Sequence, residues 1–321
     1  MNRPLQRREF LSSAFSAGAL VATSHLPSLA DDPAQFPKRG KFERLALAYV
    51  HIDAGATRPF SILHISDTHF TEAYPHEDER KQKLKAARTQ TFGGRQEEAL
   101  RDSLAWAKDN VDFVLHTGDL IDWLSEANLD LVKQSFGGGM LGALGNHEFS
   151  RYMWLEPSEN TEAYKALSAE LLAKVFPFDL RLHAREVNGV NFVTLDSVYG
   201  YVCPDQVERF RAEVKKGLPI ILCMHVPFYT DGLWRASRKF WARSGKKFES
   251  AVIPDASGDF KTQQTDPTTR DFIAYLKTEP LLKGILAGHL HITVQDRFSQ
   301  TAMQYVVGGN FLFHGQEVTF A

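Results

Sequence analysis

Cysteine is scarce in this chain of 321 residues, which contains only Cys203 and Cys223. No thiolate stands among the candidate ligands described below, which excludes a cysteine-based structural zinc site at that place. Cys223 lies inside an apolar run, where a buried and inert thiol is the better interpretation. A disulfide between the two cysteines is the alternative, because export from the cell would permit it.

Other classes of protein are excluded by equally plain absences. The formal net charge at pH 7 is −2, so nothing in the overall charge indicates a nucleic-acid or polyanionic partner. The sequence has no internal repeat and no low-complexity tract. Its apolar and charged fractions, 43% and 24%, are ordinary for a globular enzyme, and its length allows two average domains or one large α/β domain.

The first thirty residues differ in pattern from the rest of the chain. The pair Arg7-Arg8 is followed by a mildly apolar stretch rich in Ala, Ser and Gly, and the small residues Ser28 and Ala30 flank Leu29. This pattern resembles a twin-arginine export signal. We therefore predict a signal peptide over 1–30, the twin-arginine export machinery as a partner, and a periplasmic or secreted product. The alternatives are an unstructured N-terminus or a membrane anchor, although the stretch lacks the roughly 20 strongly apolar residues that an anchor requires.

Five apolar stretches further along the chain each end in aspartate, asparagine or histidine. They are 60–69, ending in Asp67-Thr-His69; 111–119, ending in Asp119; 140–148, ending in Asn146-His147-Glu148; 219–225, ending in His225; and 284–291, ending in His289-Leu-His291. Each apolar run predicts a buried strand, and ligands bind where the strands of open α/β sheets end. Residues i and i+2 of an extended chain project to the same side, so the paired residues of the first and last stretches are expected side by side. Oxygen and imidazole donors without thiolate suit Mn, Fe, Zn or Co.

In order and in type, these five motifs resemble the calcineurin-like metallophosphoesterase superfamily. The resemblance runs from Asp67 to His291, which is most of the chain after the predicted signal. It implies an α/β fold in which two mixed β-sheets form a sandwich flanked by helices. Because all five motifs must meet at one site, we predict a single domain over 31–321.

The resemblance also implies a ligand set for two divalent metal ions. The first ion would take Asp67, His69, Asp119 and His291, and the second would take Asp119, Asn146, His225 and His289, with Asp119 bridging. Two ions about 3.5–4 Å apart can hold a hydroxide that attacks phosphorus, so the implied activity is hydrolysis of small organic phosphate monoesters or diesters. The alternatives are a non-catalytic binding module on the same fold, or a nuclease. The net charge of about −4 that remains after residue 30 argues mildly against the nuclease.

Two further residues receive catalytic roles from the same resemblance. His147 is left without a metal and would protonate the departing alkoxide. Asp122 follows Asp119 by three residues and would hold His147 in orientation, since the matching carboxylate of the protein-phosphatase branch pairs with that histidine. The alternative for Asp122 is a helix N-cap.

Two segments are predicted to surround this site. Residues 72–95 are charged and follow the first motif, so they are interpreted as a rim loop or as a solvated surface segment. Residues 229–266 follow His225 and are predicted to form a lid or substrate-specificity insertion. Helical spacing there places on one face the side chains of Leu233, Ser237, Phe240 and Trp241. A helix packed on the domain, or one resting at a membrane surface, is the alternative.

Local patterns predict two hairpins and one crossover helix. Residues 44–52 alternate like a strand, and the turn at 54–57 predicts a hairpin into the first motif strand. Asn188-Gly189 predicts a second hairpin. Residues 96–110 show helical spacing, which predicts a helix that crosses over to the strand ending in Asp119.

Overall fold

The computed structural model describes residues 44–136, 140–152, 161–243, 252–254 and 266–321. The predicted signal peptide over 1–30 lies outside the described residues, as do parts of the predicted lid over 229–266. Residues 44–321 form one compact unit. None of the helices in the described ranges is long and apolar enough to span a membrane.

The strands form two sheets. They are β1 (Ala46–Ile52), β2 (Phe60–Ile65), β3 (Phe113–His116), β4 (Met140–Gly142), β5 (Leu182–Val187), β6 (Val190–Leu195), β7 (Ile220–Met224), β8 (Leu282–Ala287), β9 (Val294–Arg297), β10 (Met303–Val306) and β11 (His314–Phe320). The first sheet has the order β1-β11-β2-β3-β4 and the second has the order β5-β6-β7-β8-β10-β9. In the first sheet β2, β3 and β4 are parallel, and β11 runs antiparallel to β2. In the second sheet β6, β7, β8 and β10 are parallel, and the two edge strands, β5 and β9, run antiparallel to their neighbours. The prediction of two mixed sheets is confirmed.

Helices connect and cover these sheets. They are α1 (Glu79–Phe92), α2 (Gln96–Asn110), α3 (Glu126–Ser135), α4 (Asn146–Phe149), α5 (Glu162–Ala173), α6 (Pro204–Val214), α7 (Asp231–Ala242) and α8 (Pro267–Thr278). The predicted crossover helix over 96–110 is confirmed as α2. The interpretation of 72–95 as a loop is wrong, because α1 occupies most of it. Helix α1 begins where the Asp78 side chain accepts the backbone N–H of Lys81, and it ends at Gly93 with a positive φ.

An apolar layer joins the two sheets into a sandwich. Phe60, Phe113 and Phe320 project from the first sheet and meet Phe192 of the second, with ring centroids 6.0, 5.4 and 5.2 Å from that of Phe192. The four rings are buried and pack mostly edge to face, which adds to the free energy gained from burial alone. Helices cover the outer faces of the sheets. Phe210 of α6, for example, packs there against the ring of Phe272 of α8.

The position of β11 overturns one predicted hairpin. Strand β1 pairs in parallel with β11, from Ala46 opposite His314 to Ile52 opposite Phe320. Strand β11 then pairs antiparallel with β2, so it lies between the two strands that the turn at 54–57 was expected to join directly. The hairpin at 188–189 is confirmed, since β5 and β6 pair antiparallel across that turn.

Candidate metal centre

The five predicted motifs lie at the carboxyl ends of β2, β3, β4, β7 and β8. Backbone hydrogen bonds hold neighbouring motifs together: the Asp67 N–H donates to the Gly118 carbonyl at 2.9 Å, and the Gly288 N–H donates to the His225 carbonyl at 3.0 Å. The two sheets meet where the backbone N–H of His289 donates to Asp67 Oδ2 at 3.0 Å. The strand ends of both sheets therefore converge on one place.

Asp67, His69 and His291 form a first cluster of donor atoms. His291 Nε2 lies 3.2 Å from Asp67 Oδ1 and 3.1 Å from His69 Nε2. All three ligand atoms lie within 4.8 Å of one another, which is a spacing that a metal ion can span. The Nδ1 atom of His69 points away from the cluster, 2.9 Å from Asp122 Oδ1, and this leaves Nε2 to face the site.

Asp119, His225 and His289 form a second cluster of the same spacing. His225 Nε2 lies 3.1 Å from Asp119 Oδ2 and 3.2 Å from His289 Nδ1. Asp119 Oδ2 is also 3.8 Å from Nε2 of His69, so this oxygen lies between the two clusters. Asn146 is the first residue of α4. The backbone N–H of the following residue, His147, donates to Asp119 Oδ1 at 2.9 Å.

Two buried oxygens at this place have no well-formed hydrogen bond, namely Asn146 Oδ1 and Asp67 Oδ1, of which the latter lies 3.2 Å from His291 Nε2. An unsatisfied buried oxygen is costly unless a cation or a donor meets it. Burial alone would raise the pKa values of Asp67 and Asp119, but nearby imidazoles outweigh it and hold both carboxyls ionised. The same attraction raises the pKa of His225 to about 9, against the effect of its burial. This concentration of buried negative charge and free lone pairs fits divalent metal ions.

The backbone is left-handed at five of the predicted ligands. The φ angles of Asp67, His69, Asp119, His289 and His291 lie between 54° and 69°. Such angles cost a non-glycine residue about 1–3 kcal/mol, and they persist only where the surrounding structure imposes them. The chain thus turns sharply after β2, β3 and β8, and these turns bring the ligand side chains together at the carboxyl ends of the strands.

Glu148 stabilises the turn at Asp119 through hydrogen bonds to the backbone. Its buried carboxylate accepts the backbone N–H groups of Asp119 at 2.9 Å, of Leu120 at 2.6 Å and of Gly145 at 2.6 Å. Burial and the negative charge of Asp119 raise the pKa of Glu148 to about 7. Gly145 has to be a glycine, because a Cβ there would collide with the Asp119 carboxylate.

A model of the calcineurin-like phosphoesterase family matches residues 60–293. The chain belongs to this family. It is therefore a hydrolase of phosphoric esters, and its donor clusters are those of a metal-dependent member. The superfamily predicted from the motifs is confirmed.

Several solved structures are similar to this phosphoesterase. A dimetal phosphatase from Danio rerio is 15% identical with a TM-score of 0.46, and the match covers 78% of this chain and 88% of that one. A putative 5′-nucleotidase from Staphylococcus aureus is 13% identical with a TM-score of 0.40, covering 79% of this chain and 49% of that one. A 5′-nucleotidase from Candida albicans is 12% identical with a TM-score of 0.38, covering 83% and 47%. The phosphoesterase thus spans about half the length of both nucleotidases, and no curated protein matches it.

His147 and Asp122 of the phosphoesterase lie in contact. His147 Nδ1 is 3.0 Å from Asp122 Oδ1 and 2.9 Å from the Asp122 carbonyl oxygen, and its Nε2 is 3.8 Å from Asp119 Oδ2. Burial lowers the pKa of His147, but the charges of Asp119 and Asp122 outweigh it and raise the value to about 9. The side chain that caps α3 is Ser125, so Asp122 is not the N-cap of that helix.

Arg88 received no role from the sequence, and α1 brings it against this pair. Arg88 donates from Nε to Asp122 Oδ2 at 2.6 Å and from Nη2 to Asp122 Oδ1 at 2.9 Å. Phe92 of the same helix stacks on the His69 ring, with centroids 4.3 Å apart and an interplanar angle of 12°. Asp78 as N-cap and Gly93 as helix stop were the signals that could have revealed α1.

Both cysteines of the phosphoesterase carry free thiols, as the sequence favoured. Cys223 is fully buried within β7, and burial raises the pKa of its thiol. His64 and His116 are also buried but are not part of the ligand set, and burial lowers their pKa values to about 4 and about 3. They bond to Thr117 at 2.9 Å and to Thr68 at 3.0 Å respectively, as core histidines do.

Helix α7 carries the described part of the predicted lid. Leu233 and Ser237 are fully buried, so one face of α7 packs on the domain. At its C-terminal end, the Trp241 ring centroid lies 5.8 Å from that of His291. A pocket of about 290 Å³ opens there; its lining comprises Phe240, Trp241, Arg243, His291, Phe311 and Leu312. The first two turns of α7 thus pack on the domain, while its last turn lines the pocket.

Proposed function

We propose that this phosphoesterase hydrolyses small organic phosphate esters at a dinuclear metal centre. The observation that carries the proposal is the pair of donor clusters on either side of Asp119 Oδ2, which lies 3.1 Å from His225 Nε2 of one cluster and 3.8 Å from His69 Nε2 of the other. Two buried oxygens beside them have no well-formed hydrogen bond. One cluster alone would suit a single ion. Two clusters around one carboxylate suit two ions with a shared ligand.

Each ion would be held by four side chains. Asp67, His69, Asp119 and His291 would bind the first, and Asp119, Asn146, His225 and His289 would bind the second. When bound, two ions of Mn, Fe, Zn or Co would lower the pKa of water between them and supply a hydroxide nucleophile beside the phosphorus. The left-handed backbone at five of these ligands would preorganise their side chains for metal binding.

His147 is proposed to protonate the departing oxygen. The Asp122 carboxylate beside Nδ1 favours the protonated imidazole, which is the form that a general acid must have. The contact between His147 Nδ1 and Asp122 fixes the ring and leaves Nε2 to face the site. Asp122 is thus proposed as a positioning residue, since it touches His147 and His69 but no position that a substrate would occupy.

The organic part of the ester is proposed to be small. The pocket beside His291 measures about 290 Å³, near the lower end of ligand pockets. Monoesters and diesters both fit this proposal, while a nuclease would favour a more basic surface than the net charge of about −4 after residue 30 provides.

The test is reconstitution of metal-stripped protein. Samples loaded with Mn, Fe, Zn or Co are assayed on panels of phosphate monoesters and diesters, while bound metal is counted by elemental analysis. We expect about two ions per chain and hydrolysis of one panel. Asp119→Asn is expected to abolish activity and to lower the metal count, because it removes the shared anionic ligand. Unchanged metal content and activity in that variant would contradict the proposal.

We also propose that the chain is exported by the twin-arginine machinery to the periplasm or beyond. The proposal rests on the pattern of residues 1–30 alone. Replacing Arg7 and Arg8 by lysine should leave the precursor inside the cell, whereas the same change at Arg3 should not. Normal export of the double variant, measured by fractionation and immunoblotting, would dismiss the proposal.

A further inference from the structure

The pocket at the end of α7 adjoins the candidate metal centre at His291. His291 lines the pocket and also belongs to the cluster with Asp67 and His69. A phosphate ester whose phosphoryl group meets that cluster would therefore extend its organic part into the pocket. This step rests on the proposed function.

The pocket wall consists mainly of rings. The His291 ring centroid lies 5.2 Å from that of Phe311 and 5.8 Å from that of Trp241, and the Phe240 ring lies 5.2 Å from Trp241. The interplanar angles at these contacts are 56–87°, so edges and faces of several rings are turned toward one another. A planar aromatic guest fits such a wall, because ring pairs favour offset and edge-to-face contacts.

Two large apolar side chains of the pocket are exposed to solvent. Phe240 is 39% exposed and Leu312 is 50% exposed. Exposed apolar groups grouped beside a polar site are typical of a ligand-binding surface. Arg243 stands with them and is also exposed, and a guanidinium is attracted to the faces of aromatic rings.

The helix that carries this wall is fixed at its other end. Thr230 caps α7, and the backbone N–H of Gly232 donates to Asp296 Oδ2 at 2.8 Å. Leu233 and Ser237 are buried one and two turns further along. Phe311 is held from the opposite side by Phe92, with centroids 4.9 Å apart. A preformed wall of this kind binds a ring without a large ordering cost.

We propose that Trp241, Phe240 and Phe311 form a subsite for a planar aromatic ring in the organic part of the phosphate ester. The subsite makes this protein selective for esters that carry such a ring over saturated esters of the same size and leaving-group type.

The test compares benzyl phosphate with cyclohexylmethyl phosphate, and the methyl diesters of the same two alcohols. Both alcohols are primary and carry a six-membered ring one carbon from the oxygen, so ring planarity is the main difference. Aromatic contacts are worth about 0.5–1.5 kcal/mol beyond burial, so metal-loaded protein is expected to favour the benzyl ester in kcat/KM by about 3- to 10-fold. Calorimetric Kd values for benzylphosphonate and cyclohexylmethylphosphonate, which resist hydrolysis, should show the same preference.

Trp241→Leu and Phe240→Leu are expected to bring this preference close to 1, while Trp241→Phe should keep part of it. Trp234→Leu is the matched control, since Trp234 lies on the same helix and its ring contacts Tyr229 instead of the pocket. It should keep the full preference. Phe240 is exposed, so its variant tests the subsite even if the Trp241 variants fold poorly.

The outcomes separate this inference from the proposed function. Equal Kd and equal kcat/KM for the two ring types would overturn the aromatic subsite, as would a full preference retained by Trp241→Leu and Phe240→Leu. A higher kcat/KM for octyl phosphate than for benzyl phosphate would also overturn the aromatic subsite, in favour of a site for alkyl chains. Failure of the loaded protein to hydrolyse any ester would instead contradict the proposed function, and selective binding of benzylphosphonate would still support the subsite.

Discussion

Replacing Arg88 by methionine would break a buried charge pair behind the candidate metal centre. The Arg88 guanidinium donates two hydrogen bonds to Asp122, whose carboxylate is fully buried, and only 19% of the Arg88 side chain is exposed. The Arg88 guanidinium and two imidazoles outweigh the effect of burial and lower the pKa of Asp122. Without Arg88, that charge would depend on His69 and His147 alone.

The size of the effect follows from this geometry. Removing one partner of a buried ion pair costs about 3–5 kcal/mol, and the two remaining imidazoles place Arg88→Met at the lower end, about 3 kcal/mol. For a chain of this size that corresponds to a fall in Tm of about 6 °C. Activity should also fall, mainly in kcat, because Asp122 orients His147 and His69. Arg88→Lys keeps the charge but loses the paired hydrogen bonds, so it should recover part of both losses.

The assay is urea unfolding of the metal-free protein together with kcat and KM of the metal-loaded protein. Lys83→Met is the matched control on the same helix, since Lys83 pairs with Glu79 where both side chains are more than 70% exposed. Such surface pairs contribute about 0–1 kcal/mol. If Arg88→Met loses no more stability and no more kcat than Lys83→Met, the role given to this pair is refuted.

Three other perturbations give further checks. His147→Ala should keep bound metal but slow esters of poor leaving groups by about 10²–10⁴-fold, and activated aryl esters much less; equal slowing would contradict general-acid work. Gly145→Ala drives a Cβ into the Asp119 carboxylate, so metal affinity measured by competition with a chelator should fall by about 10- to 100-fold. Burial lowers the pKa of His183 to about 4, below its unfolded value of 6.5, so its contribution to stability is complete above pH 6.5 and is lost as the pH falls toward 4. His183→Gln should therefore lose less stability than the parent between pH 7 and pH 5 in urea titrations. A matching loss would disprove the assignment.

Sequence alone was sufficient to predict the strands and the residues that follow them. An apolar run that ends in Asp-x-His or His-x-His predicts both a strand and the polar residues at its end, so the candidate ligand positions from Asp67 to His291 could be named before any fold was known, and the structure brings them close together. The structure adds the left-handed turns that aim these side chains. Those turns depend on partners far along the chain, such as the Glu148 carboxylate that binds the Asp119 N–H.

Residues that act through packing were harder to predict. Helix α1 has a single buried residue, Phe92, so it lacks the repeated apolar spacing by which helices are recognised. Its stability comes from its cap, its surface pairs and the contact of Arg88 with Asp122. Helix α7 shows the converse case, since the helical spacing from Leu233 to Trp241 was visible while its contact with His291 was not.

Strand β11 completes the first sheet, although it comes from the C-terminal end of the chain, far in sequence from the strands that it joins. Its residues stand opposite β1 partners that precede them by 268 positions, and they also supply the neighbour of β2. During synthesis, the edges of β1 and β2 remain unpaired until the segment up to residue 320 has left the ribosome. Pairings of such sequence separation form slowly and expose strand edges to aggregation in the meantime. A truncation within 314–320 would therefore leave a translated chain whose ligand-bearing strand β2 lies at an open edge.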